Sequence, residues 1–174
     1  HVGSARKKMG KKTIFNLIGP LSSPAQVKRQ VVGVFNKKWM RPFAEALKEN
    51  NVEHAYIVHS DDGMDEISPF EKTNVVELKN NKINEFIIDP KELGIKSSNK
   101  ESLKGKNAEF NSQRIIEIYK GKFNEFSQSV ALNVAAGLIV ANKENTFEKA
   151  FKKASEHLVS GDVFKHLNKI QSAS

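Results

Sequence analysis

Alternation and runs of apolar residues divide the chain into recognisable elements. Gln30-Val31-Val32-Gly33-Val34-Phe35 is β-branched and reads as a buried strand. Asn36 follows as a helix cap, and Met40, Phe43, Ala44 and Leu47 recur at the spacing of one helical face ending near Asn50-Asn51. Pro42 falls in the first turn, where a missing N–H costs little. The run Ala55-Tyr56-Ile57-Val58-His59 is the next buried strand. Strand, helix, strand predicts a βαβ unit with a right-handed parallel crossover. Asn74–Leu78 and Ile83–Ile88 flank an Asn80-Asn81 turn and predict an antiparallel hairpin. Asp89-Pro90 opens a short helical turn that Gly94 closes, and the polar, lysine-rich residues 96–107 read as a surface loop.

The last third is helical by the same criterion. Ile115, Ile116 and Tyr119 give one face closed by Gly121. The stretch from Val130 to Ala141 is apolar nearly all round and predicts a buried helix. Asn133 interrupts it and needs a partner if buried. Thr146 caps a further helix with Phe147, Ala150, Phe151, Ala154 and Leu158 on one face, closed by Gly161, and Val163, Phe164, Leu167 and Ile170 form the last. At the other end, residues 1–9 predict a short helix ending at Gly10. The two prolines and glycine of Gly19-Pro20-Leu21-Ser22-Ser23-Pro24 predict a shaped loop rather than helix or strand.

The candidate chemistry lies in Ser60-Asp61-Asp62-Gly63-Met64-Asp65-Glu66-Ile67-Ser68, directly after a predicted strand. Four carboxylates on one short loop repel one another unless water, a basic partner or a metal ion offsets them. Oxygen-only ligands in an acidic turn suit a hard ion such as magnesium, which is commonly shared with substrate phosphates. Ligands of open α/β sheets bind beyond the carboxyl ends of strands, where this loop falls. On composition alone, Asp and Gly are equally ordinary turn residues, and a solvated turn is the simpler account.

Composition changes the picture in a few respects. The 174 residues, 39% hydrophobic and 28% charged, suffice for a domain with a real core. There is no cysteine, which excludes a disulfide framework, a zinc–thiolate site and a thiol nucleophile. No apolar run reaches membrane-span length and the first residues are polar and basic, so a cytoplasmic protein without membrane partners is expected. The formal charge of +8 could attract anions, but the lysines are spread along the chain and interleaved with acidic residues. A solvated lysine-rich surface is expected, and nucleic acid is not expected as a partner.

Three blocks carry a resemblance: His1-Val2-Gly3-Ser4-Ala5-Arg6, Thr13-Ile14-Phe15-Asn16-Leu17-Ile18-Gly19-Pro20-Leu21, and Asp62-Gly63-Met64-Asp65-Glu66-Ile67-Ser68. In order and spacing, together with Leu132-Asn133-Val134-Ala135-Ala136, they resemble the anthranilate phosphoribosyltransferase family. The resemblance covers essentially all of this chain but only the later part of the family's plan. It implies a partial nucleoside-phosphorylase/phosphoribosyltransferase-like α/β domain. That domain has a mostly parallel, βαβ-containing sheet, an antiparallel hairpin and a helical C-terminal third. Residues 1–174 are then a single, incomplete α/β domain, with the family's N-terminal helical domain and glycine-rich phosphate loop absent from it.

The implied activity is transfer of phosphoribosyl from phosphoribosyl pyrophosphate to anthranilate in tryptophan biosynthesis, with Mg2+ as cofactor. By resemblance Arg6 meets the anthranilate carboxylate, Gly19 and Pro20 border the anthranilate path, and Asp65 and Glu66 hold magnesium on the pyrophosphate. Asp61 and Asp62 receive no ligand role, and no residue is nominated as a general base. His1, His54, His59, His157 and His166 are expected to be structural. The family is homodimeric through helices outside this chain. Ser23 departs from the family's usual asparagine before the proline. The isolated chain is expected to be inactive. Two alternatives are a related pyrimidine nucleoside phosphorylase, which would not need Asp65 and Glu66, and a transferase-like nucleic-acid-binding protein, supported only by the charge.

Overall fold

A computed structural model of the protein describes residues 3, 15–96 and 100–173. Arg6, His1 and nearly all of the helix expected over residues 1–9 lie outside the described residues. The first described helix, α1, spans Phe15–Leu21. Strand β1 (Arg29–Gly33) leads through a single 3-10 turn, Lys37–Trp39, into helix α2 (Met40–Glu49) and strand β2 (His54–Ser60). The hairpin β3 (Thr73–Lys79) and β4 (Lys82–Ile88) follows, and then helices α3 (Ala108–Tyr119), α4 (Glu125–Val140), α5 (Phe147–Val159) and α6 (Asp162–Ser172).

The four strands form one sheet in the order β1-β2-β3-β4. β1 pairs parallel to β2, with Val31 opposite Tyr56, as the βαβ unit requires. β2 and β3, and β3 and β4, pair antiparallel. The α/β class stands, and the sheet is mixed, with one parallel pair of three rather than a parallel majority. The chain between β2 and β3 forms no crossover helix and returns beside the strand it has just left, and the two-residue turn after β3 can join only antiparallel strands. Asn80 and Asn81 close the hairpin with φ of 49° and 64°, the pair of left-handed residues that a two-residue turn needs.

β2 is central and buried on both faces, which explains its unbroken apolar run. Its side chains alternate between two cores. Ala55 and Ile57 pack with Val32, Val76, Leu78 and the Met40, Phe43, Ala44 and Leu47 face of α2. Tyr56 and Val58 pack with Val75, Ile67 and the Leu132, Ala135, Ala136 and Ile139 face of α4. Asn124 and Ser127 form a reciprocal capping box at the start of α4. Alanines 131, 135, 150 and 154 allow α4 and α5 to approach closely.

Some expectations shift. The Gly19-Pro20 stretch is helical rather than a loop, since α1 runs through both. Proline disfavours helix at the residue before it largely through that residue's Cβ, and Gly19 has none. Pro20 supplies no N–H for an i→i−4 bond, and α1 ends one residue after it. In α3 the buried residue is Ile118, 2% exposed, while Ile115 is 40% exposed. The choice among isoleucines is made by Ala131, Ala154 and Leu158, against which Ile118 packs. Helix α4 is not buried all round: Val134 is 44% exposed. Gly121 (φ 99°) does close α3, and a Cβ there would stand 2.6 Å from the Val159 carbonyl oxygen.

Candidate active site

The acidic loop leaves the carboxyl end of β2 and splits into two halves of different fate. The Ser60 amide donates to the Met64 carbonyl at 2.9 Å, and Gly63, at φ 90°, makes the turn between them. Asp62 folds inward. Its Oδ2 accepts from Ser68 Oγ at 2.7 Å and its Oδ1 from the Met64 amide at 3.3 Å, and Lys100 Nζ lies 3.9 Å away. Its side chain is 4% exposed. Asp61 accepts from Asn74 Nδ2 at 2.8 Å, and Asn74 Oδ1 in turn accepts from Lys37 Nζ at 2.6 Å. Both stand in the turn, Asp62 held within it and Asp61 held by β3.

Asp65 and Glu66 are exposed, and among the described residues neither carboxylate has an ion pair or hydrogen bond. They line an open cleft of about 530 Å³ together with Gly33, Val58, Phe126, Asn133 and Val134. The backbone beneath them is held from three sides. Ser60 Oγ donates to the Glu66 carbonyl at 2.7 Å and shares a hydrogen bond with the Thr73 hydroxyl. The Ile67 amide donates to Asn133 Oδ1 at 3.0 Å, and Asn133 Nδ2 donates to the Ile67 carbonyl at 3.2 Å. Gly33 completes the support by leaving space, since a Cβ there would fall 1.6 Å from the Asp65 carbonyl oxygen.

The donor set fits a hard divalent cation. Two adjacent carboxylates, unpaired and facing an open cleft, match the one or two carboxylates by which magnesium is usually held alongside substrate phosphates. Among the described residues no group of three or more His, Asp or Glu side chains converges as a self-sufficient metal site. An ion here needs further oxygen ligands from water or substrate.

The remaining residues of interest lie apart. Pro20 borders a separate groove of about 450 Å³, formed with Leu21, Val27, Leu47 and Asn50, and Gly19 is exposed beside it. Neither lines the acidic cleft. His59 Nδ1 donates to the Val34 carbonyl at 2.8 Å, and His54 Nε2 meets Glu77 Oε1 at 2.9 Å in a buried pair. Both histidines therefore serve the sheet. No helix among the described residues is long and apolar enough to cross a membrane.

Sequence reasoning reached the acidic pair and missed most of what supports it. Gly33 was readable, because a glycine inside a strand run often marks close approach of another backbone. Asn133 announced that it needed a partner but not which one. The hydroxyls of Ser60, Ser68 and Thr73 carried no pattern that distinguished them from surface residues.

Comparison with known proteins adds relatives to this geometry. The chain is 52% identical over 171 residues to the anthranilate phosphoribosyltransferase of Pelagibacter ubique (strain HTCC1062), covering 98% of this chain and 52% of that protein. Its fold is similar to the crystal structure of anthranilate phosphoribosyltransferase from Thermus thermophilus. There the TM-score is 0.86 and the identity 33%, over 97% of this chain and 50% of that one. It is also similar to the Saccharomyces cerevisiae enzyme in complex with PRPP and Mg, with a TM-score of 0.83 and 25% identity over 97% and 49% of the two chains. The chain spans about half the length of the curated relatives it matches. Residues 1–164 match the family model described as "Glycosyl transferase family, a/b domain", and the chain belongs to that family.

Proposed function

We propose that this chain is the acidic-loop portion of an anthranilate phosphoribosyltransferase, which transfers phosphoribosyl from phosphoribosyl pyrophosphate to anthranilate and releases pyrophosphate. The observation that carries the reading is the Asp65–Glu66 pair, unpaired over an open cleft at the carboxyl end of β2. In this reading Asp65 and Glu66 hold Mg2+ against the pyrophosphate of the donor. The bound ion supplies neutralisation of the charge that develops as pyrophosphate leaves the anomeric carbon. A nucleoside phosphorylase on the same fold uses inorganic phosphate and has no need of the pair, so its retention favours the transferase.

The other assignments belong to the same proposal. Arg6 pairs with the anthranilate carboxylate, a task suited to a planar guanidinium with two parallel N–H donors. Gly19 and Pro20 border the path of the acceptor. The aromatic amine is neutral at pH 7, so the chain's contribution is orientation, and no residue is required as a base. The matched stretch is an incomplete α/β domain. The rest of the enzyme supplies the glycine-rich phosphate loop and the helices of a cytoplasmic homodimer.

The test joins this chain in frame to the N-terminal half of a relative and follows loss of anthranilate fluorescence. The joined protein turns over with phosphoribosyl pyrophosphate only when Mg2+ is present, and the 174-residue chain alone does not. Turnover by the chain alone would overturn its incompleteness. A folded joined protein that never turns over would overturn the transferase reading.

A further inference from the structure

Asn133 is costly where it stands. It lies inside α4 between Leu132 and the buried Ala135 and Ala136. Asparagine is a poor helix former, and a half-buried carboxamide without partners loses its hydration for nothing. Its hydrogen-bonding capacity is directed at backbone. Nδ2 donates to the Ser129 carbonyl one turn back, at 2.9 Å, and the other two bonds both go to Ile67, 66 residues away in sequence. Ile67 is fully buried and directly follows Glu66.

One of these bonds meets a second one on the same peptide unit. Between Glu66 and Ile67, the carbonyl oxygen is held by Ser60 Oγ and the N–H by Asn133 Oδ1. Gripping a planar peptide at both ends fixes its orientation, and with it ψ of Glu66 and φ of Ile67. The direction of the Glu66 side chain follows. On the other side, the Asp65 carbonyl is fitted against Gly33.

We infer that Asn133 is a positioning residue for the Asp65–Glu66 pair: through the Ile67 backbone its carboxamide sets how the two carboxylates face the cleft, and so sets their affinity for a divalent cation. The inference rests on the metal role proposed above. Outer partners that orient ligands typically change metal affinity by about 10- to 100-fold when removed.

The experiment titrates the joined protein, with pyrophosphate present, with Mn2+, a paramagnetic stand-in for Mg2+, and reads line broadening at the backbone amides around Asp65 and Glu66. Asn133→Ala weakens Mn2+ binding about tenfold or more. Leu158→Ala, in the core between α4 and α5, lowers the unfolding midpoint and leaves Mn2+ affinity intact, which separates positioning from general stability. Should Asn133→Ala fail to fold, Asn133→Gln takes its place, since the added methylene misplaces the same amide. A folded Asn133 variant with unaltered Mn2+ affinity overturns this inference and leaves the metal role standing. Absence of broadening around the pair in the unaltered joined protein overturns the metal role and the inference together.

Discussion

Asp61 and Asp62 stand before Gly63, and Asp65 and Glu66 stand two and three residues after it. The two pairs have nearly the same chemistry and opposite surroundings. Asp62 is almost fully enclosed, and the desolvation of its charge is offset by a hydroxyl, a backbone amide and the nearby Lys100. Asp61 is tied through Asn74 to Lys37. Asp65 and Glu66 take no part in holding the loop, although the loop is held firmly beneath them. Repulsion between exposed like charges costs on the order of 1 kcal/mol in water, a small penalty to carry. The difference teaches that acidic residues in one turn divide into those that build the backbone and those the backbone presents.

That division is broken most severely by neutralising the presented pair. Asp65→Asn with Glu66→Gln in the joined enzyme should reduce turnover by about 10²- to 10³-fold, the usual scale for losing a preorganised charge-stabilising group. Denaturant unfolding of the same variant should stay within about 0.5 kcal/mol of the parent, as for surface substitutions away from structural features. A large loss of stability would show that the pair is structural after all. Asp62→Ala should behave in the converse way. It strips the Ser68 hydroxyl and the Met64 amide of their acceptor and should destabilise the chain by about 1–3 kcal/mol, read as a lower urea midpoint at constant slope. An unchanged midpoint would erase the distinction between the halves of the loop.

A smaller effect comes from β2 itself, at alkaline pH. Burial pushes the Tyr56 phenol well above its ordinary value of 10.0, and the Glu77 carboxylate pushes it further in the same direction. The proton is therefore bound more tightly in the folded chain than in the unfolded one. Its stabilising contribution is complete below about pH 10, where both states are protonated, and is lost as pH rises toward the folded value. Tyr56→Phe should remove that part of the alkaline decline and leave the acid side of the profile unaltered. An identical alkaline decline in the variant would show that the phenol takes no part.

The elements that were legible in advance are those whose signal is local. The Asn80-Asn81 turn, the two-faced strand around Ile57 and the Met40–Leu47 face of α2 each depend on residues within one turn or one strand. Where a choice depended on a distant surface, the sequence pointed the wrong way or not at all. Ile118 rather than Ile115 is buried because α4 and α5 present Ala131, Ala154 and Leu158 to it. Gly19 and Pro20 are a separate case: they look like a loop by composition and stand in a helix for the local reason that Gly19 has no Cβ to meet the proline ring.

The candidate site follows the same rule. The sequence alone determined that four carboxylates would sit on a short turn at the end of a buried strand, because alternation, glycine and charge are written residue by residue. Which carboxylates found partners was decided by tertiary structure. Asp62 is bound within its own turn, Asp61 reaches across to β3, and the backbone after Glu66 is held at Ile67 by an amide 66 residues further on. Local steric and solvation preferences place a turn. Only packing brings β1, β2 and α4 together closely enough for Ser60 and Asn133 to hold the Glu66–Ile67 peptide, with Gly33 against the Asp65 carbonyl before it, and leave two charges free.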